Sequence, residues 1–221
     1  MKKFTKLTLV AAALSSSLFV SQSALAEVSA NIGATSNYLW RGVSQSSDSA
    51  SVSGGLDFAA DSGFYAGTWV GSLGDGNGAE TDFYLGFGGE SGSFSYDVGY
   101  IYYAYTDLDD SDFGEVYFNG AVGNFGFGVA YTVNSQVEGV SAFDSGDIYA
   151  NISYGGIDLG NDFELGFTVG TYAFDADGDF DYSHVQADIA KGDFAFSISK
   201  AEDEGIADGD LKFVASWSTS F

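Results

Sequence analysis

Few residues of this 221-residue chain have the type and spacing to do chemistry. His184 is the only histidine and stands beside Ser183. A serine hydrolase needs its nucleophile and base within hydrogen-bond reach. Adjacent residues of a strand point to opposite faces. If the flanking segment is extended, the pair is not a dyad, and a lipid-modifying hydrolase is disfavoured. The run "DADGDFD" places Asp175, Asp177, Asp179 and Asp181 at alternate positions, in the manner of a calcium loop. Its twelfth position is Gln186, where such a loop needs a bidentate glutamate. The run therefore reads as a solvated acidic loop that collects divalent cations loosely. Arg41, the only arginine, and Lys212 are isolated cations among acids. They fit either a charged constriction or a structural ion pair at the seam of a closed sheet, where Asp210 lies near Lys212. Neither a cofactor nor a dedicated metal site is called for, and no enzyme is expected.

The elements that must carry these residues follow from composition. Residues 1–26, "MKKFTKLTLVAAALSSSLFVSQSALA", have lysines, a short apolar centre and Ala24-Leu25-Ala26. That is a secretory signal peptide rather than an anchor, because the apolar stretch is short and broken by serines. Its removal takes Lys2, Lys3 and Lys6 and leaves Arg41, Lys191, Lys200 and Lys212 against 31 acids. Such a chain does not bind nucleic acid, which needs a basic footprint. Disorder is excluded by 20 Phe, 14 Tyr and 3 Trp. Proline and cysteine are absent, so central strands are uninterrupted and disulfides play no part. No segment of 27–221 has the apolar run of about 20 residues that a membrane helix requires.

Alternating segments of about ten residues, separated by Gly/Asn/Asp/Ser clusters, predict an all-β chain. They form an antiparallel up-and-down transmembrane β-barrel of about 12 strands over residues 27–221. The predicted strands are 29–42, 49–60, 64–72, 79–90, 94–105, 113–122, 125–134, 147–155, 163–174, 182–190, 194–201 and 210–221. Tight turns ("DSG", "SGS", "GN", "KGD" and the longer "GGIDLGND") alternate with longer acidic loops. Each tight turn is followed by a phenylalanine: Phe64, Phe94, Phe125, Phe163, Phe194. These mark one interface as an aromatic girdle. Phe221 closes the last strand at the same end and completes the ring.

Parity then assigns a lumen. Asp57, Glu80, Asp82, Asp97, Glu115, Asp147, Glu164 and Asp188 point inward against Arg41 and Lys212, and these ten are the expected pore lining. Lys200 shares the parity of Phe194 and Phe196 and points to lipid. Many inward positions are Gly, Ser or Ala and leave space, which Tyr65, Trp69, Tyr103, Tyr117 and Tyr149 can partly fill. No loop is long enough to read as a folded plug. Eight strands give a filled interior and sixteen an aqueous channel, so twelve leave both open.

Two resemblances add to this. Phe213, Trp217 and Phe221 resemble the C-terminal signal by which the barrel assembly machinery recognises outer-membrane proteins. The block "SNYLWRGVSQS", followed by "GGLDF" and "SGFYAGTWVGSL" within residues 31–73, resembles the TorF-type putative porin family. That resemblance implies a Gram-negative outer-membrane barrel with a channel role, and supplies no substrate. The expected function is a cation-preferring channel for passive diffusion of small solutes or cations, in contact with outer-membrane lipids. The alternative is a structural or adhesive barrel with a filled core and acidic loops.

Overall fold

Strict alternation over ten or so residues leaves one apolar and one polar face per segment, and closing the sheet lets every strand pair on both sides. The computed structural model describes residues 27–137, 141–175, 180–202 and 204–221. The expected signal peptide lies outside them, as do Asp177 and Asp179 of the acidic run. Strands are β1 (Glu27–Thr35), β2 (Leu39–Trp40), β3 (Val43–Ser44), β4 (Ser51–Ala59), β5 (Phe64–Ser72), β6 (Ala79–Ser91) and β7 (Phe94–Tyr105). They continue with β8 (Phe113–Val122), β9 (Phe125–Ser135), β10 (Ile148–Gly160), β11 (Phe163–Ala173), β12 (Tyr182–Lys191), β13 (Phe194–Ala201) and β14 (Leu211–Ser220). All but β2 and β3 form one closed antiparallel barrel of 12 strands in which chain neighbours pair and β1 joins β14.

At that seam Ile32 faces Thr219, and Ala30 and Phe221 exchange backbone hydrogen bonds of 2.9 Å in both directions. The final residue is thus part of the ladder. Its side chain points outward and is 79% exposed, as are those of Phe125 and Phe194 at 66% each. All five post-turn phenylalanines open a strand. On β9, Phe125, Phe127, Val129, Tyr131 and Val133 face out, while Ala130 and Thr132 are buried. The exterior is an apolar belt and the interior is polar.

Inside, tyrosine rings lie flat against the wall because their cross-strand partners are glycines. Tyr65 pairs with Gly86, Tyr84 with Gly67 and Tyr117 with Gly99. Each ring occupies the space a Cβ would take at its glycine. Flat rings widen the lumen and carry their hydroxyls toward wall carboxylates.

Two departures from the sequence-based expectations matter. The first strand does not run to residue 42. It stops at Thr35, which pairs with Ser51 of β4; Ser36 makes one more backbone bond, to Ala215 of β14, and residues 37–50 leave the wall. The stretch 155–162 is not a long turn. β10 continues to Gly160 with irregular register at Tyr154/Ile157 and Asp158/Gly160, and the turn is Asn161–Asp162, both at positive φ. An extra residue in a ladder bends and twists the strand, which is how the glycines of 155–160 are used.

Candidate functional site

Residues 37–46 turn back into the barrel. β2 and β3 pair as Leu39 with Ser44 and Trp40 with Val43, leaving Arg41 and Gly42 as a two-residue turn with φ of 50° and 87°. Positive φ at both positions is the geometry that matches a tight hairpin's twist. The neck of the hairpin is self-braced. Asn37 Nδ2 donates to Asp48 (2.7 Å) and its Oδ1 accepts from Ser44 and Ser46. The Tyr38 amide donates to Ser46 Oγ at 2.8 Å. Every polar group spent on the neck lets Tyr38, Leu39 and Trp40 be buried together. This segment is a folded plug, contrary to the expectation that no loop was long enough.

Arg41 at the tip crosses the lumen to β8. Its two terminal nitrogens donate to both oxygens of Glu115 at 2.7 and 2.6 Å. Its guanidinium lies 4.2 Å from the Trp40 ring centre, 4.3 Å from Tyr149 and 5.1 Å from Tyr172. Glu115 also accepts from Tyr103 (3.2 Å) and Tyr172 (3.1 Å). A buried pair repays its desolvation when geometry is bidentate and the remaining lone pairs are satisfied, and both conditions hold. Around it Trp40, Tyr103, Phe113, Phe143 and Tyr172 form a continuous aromatic cluster. Phe143 comes from the loop between β9 and β10, so two loops fill the half of the lumen nearer the long loops.

Lys212 anchors the neck. Its ammonium donates to Asp48 (2.8 Å) and Asp208 (2.6 Å), which corrects the partner Asp210. The two cations do not meet at the seam; one pins the tip of the hairpin and the other its base. Asp208, in the loop before β14, is held below the ordinary aspartate range chiefly by the hydrogen bond from Lys212.

Toward the tight-turn end the lumen opens into a cavity of ≈ 550 Å³. Arg41, Asp57, Asp97, Glu115, Glu164 and Asp188 line it. Asp57 accepts from Asn31 (3.1 Å) and from the Tyr84 hydroxyl. Asp97 accepts from Tyr65 at 2.5 Å, and Tyr65 also bonds Tyr117. Asp188 accepts from Gln186 (2.9 Å) and Ser197 (2.5 Å). The other residues expected to line a pore lie elsewhere. Glu80 and Asp82 are buried beside the hairpin, with Tyr38 donating to Glu80 at 2.6 Å. Asp147 is buried at the start of β10 and accepts from the Asp175 amide at 2.8 Å.

His184 faces inward and bonds the Tyr149 hydroxyl at 2.9 Å, while Ser183 is bonded to Thr171. The two side chains leave the strand in opposite directions and form no dyad. Phe213 and Phe221 point outward, on the parity of Trp217. Sequence reasoning missed the hairpin and with it Tyr38, Trp40, Phe143 and Tyr172. The detectable signal was the consecutive apolar run Tyr38-Leu39-Trp40, which breaks alternation, followed by Arg-Gly.

The fold is similar to that of the KdgM porin, with a TM-score of 0.53 at 9% identity over 87% of this chain and 98% of that chain. For the KdgM porin in complex with disordered oligogalacturonate the values are 0.50, 8%, 88% and 97%. The NanC porin aligns at 0.49 and 10%, covering 88% and 99%. At such identities the likeness is one of fold. No curated protein matches the chain in sequence. A family model described as "Bacterial protein of unknown function (Gcw_chp)" matches residues 21–209, and the chain belongs to that family.

Proposed function

We propose that this protein is an outer-membrane, porin-like channel for passive diffusion of small solutes, with a preference for cations. The observation that carries this is the acid-lined cavity within a closed barrel whose exterior is apolar. Asp57, Asp97, Glu164 and Asp188 line it, and the one cation at its ceiling, Arg41, is neutralised by Glu115. Carboxylates on a low-dielectric wall focus a negative potential, which concentrates cations and repels anions. The porin likeness supports the channel class, and the TorF-type resemblance of residues 31–73 agrees with it. The same reading places the chain in the outer membrane among lipids, delivered by barrel assembly machinery that reads Phe213, Trp217 and Phe221. It assigns no catalytic residue.

The test is the reversal potential of the refolded protein in planar bilayers under a potassium chloride gradient. A cation-selective potential is expected at low salt, weakening as the Debye length falls from about 10 Å at 0.1 M to about 3 Å at 1 M. An anion-selective potential at low salt refutes the preference.

A second reading, a structural or adhesive barrel, is favoured by the packed half of the lumen, where Tyr172, Phe113 and Trp40 are buried. Excising residues 39–44 separates the two. Conductance that appears or rises on excision makes the hairpin the restriction of a channel, while silence from both forms supports the structural barrel.

A further inference from the structure

Asp82 is fully buried, and neither carboxylate oxygen has a hydrogen-bond partner. It projects inward from β6 between Trp69 of β5 and Tyr103 of β7. Glu80, 2% exposed, lies two residues along the same face, about 7 Å away along the strand. Tyr38 of the hairpin holds one of its oxygens. The nearby Arg41 is committed to Glu115 through both terminal nitrogens. Among the described residues no ion pair reaches Glu80 or Asp82. Two buried carboxylates side by side without a countercharge are costly. Other buried polar atoms near the hairpin also lack a partner, among them His184 Nδ1 and the Tyr182 hydroxyl, but among the described residues Asp82 is the acid with both oxygens unpaired.

We propose that Asp82 and Glu80 form a binding station for a monovalent inorganic cation, seated beside the hairpin. This deepens the cation-channel reading and rests on it. The free oxygens of Asp82 supply the anionic ligands, with the Glu80 carboxylate two residues along the same face of the strand. A resident divalent ion is a poor fit, because it takes six or more oxygens. Among the described residues no group of three or more acidic or imidazole side chains has the spacing to hold a metal. Few ligands suit a weakly held monovalent ion. The hairpin supports this placement: Tyr38 fixes Glu80, and the Arg41–Glu115 pair removes the one cation that would compete for the site.

The experiment is sodium-23 NMR relaxation of the full barrel refolded in a zwitterionic detergent. Sodium chloride is titrated against N-methylglucamine chloride at constant ionic strength. Saturable line broadening that potassium chloride displaces is expected for the parent protein. Asp82→Asn and Glu80→Gln each raise the apparent dissociation constant about tenfold or more, the loss of one of two charges. Asp109→Asn, in an exposed outer loop, keeps the parent value. Heat-modifiable gel mobility establishes that each variant is folded, and Glu80→Gln carries the test alone if Asp82→Asn does not fold. No saturable broadening, or broadening unchanged in both variants, overturns the station. Cation-selective conductance together with that result leaves the channel standing. Saturable, Asp82-dependent broadening without conductance keeps the site and refutes the channel.

Discussion

Replacing Arg41 by glutamine should release the hairpin from the lumen. The guanidinium is 11% exposed and the Glu115 carboxylate 1%, so the substitution strands a buried charge. Breaking such a pair by removing one partner costs about 3–5 kcal/mol. At about 1.4 kcal/mol per factor of ten, the docked-to-undocked ratio falls roughly 10²- to 10⁴-fold. The stacking on Trp40, Tyr149 and Tyr172 is lost with it. Opposing this, Tyr38, Leu39 and Trp40 still favour burial, so the hairpin is loosened and not expelled. The chain has no cysteine, which makes Leu39→Cys a unique thiol at a position only 6% exposed. Its rate of modification by a small water-soluble thiol reagent should rise by a large factor in the Arg41→Gln background. The double change Arg41→Gln with Glu115→Gln should recover much of the protection, because no charge is then left unpaired. An unchanged rate in the single variant would refute the docking role of the pair. A double variant as labile as the single one would refute the stranded-charge explanation.

Other outcomes follow from the same structure. Phe221→Ser should lower the yield of assembled barrel more than a comparable change at Ser220, measured by heat-modifiable mobility of membrane fractions. Normal assembly of Phe221→Ser would contradict the role given to the terminal ring. Asp208 is depressed by its bond from Lys212, and a carboxylate lowered on folding stabilises above its unfolded value and loses that contribution as pH falls through the folded one. The difference in urea midpoint between the parent and Asp208→Asn should therefore be present at neutral pH and vanish on acidification below the aspartate range of about 4. It should be small and shrink with salt, because Asp208 is half exposed. Gly86→Val, which drives a side chain into Tyr65, should cost about 1–3 kcal/mol by overpacking, whereas Gly155→Ala, with open space at its Cβ, should unfold at nearly the parent urea concentration.

The wall of the barrel was legible because its physics is local. Phe125 to Val133 must alternate with Gly126 to Thr132 whatever the partner strand. Phe64, Phe94 and Phe194 follow glycine-bearing turns that report their own positions. The hairpin was not legible for the opposite reason. "NYLWRGVS" has the composition of a strand end, and the residue that decides its course is Glu115, 74 positions away. Arg41 was recognised as a lumenal cation, but its partner and depth depend on a turn whose positive φ at Arg41 no composition rule singles out. The stretch 155–160 misled differently: Gly155, Gly156 and Asp158 are turn residues by type, and here they serve a bulged strand.

Thr35 and Ser51 face each other in the ladder directly beneath the hairpin. The cylinder therefore closes without residues 37–50, which leave it after Ser36 and return to it at Ser51. An insert attached in this way is a cassette. Lineages can lengthen, shorten or rewrite it without reopening a single wall pairing, so what fills the barrel evolves on a separate clock from the barrel itself. For an engineer the same attachment offers a ready splice site, where segments of different bulk or charge can be exchanged to reshape the lumen on one unchanged frame.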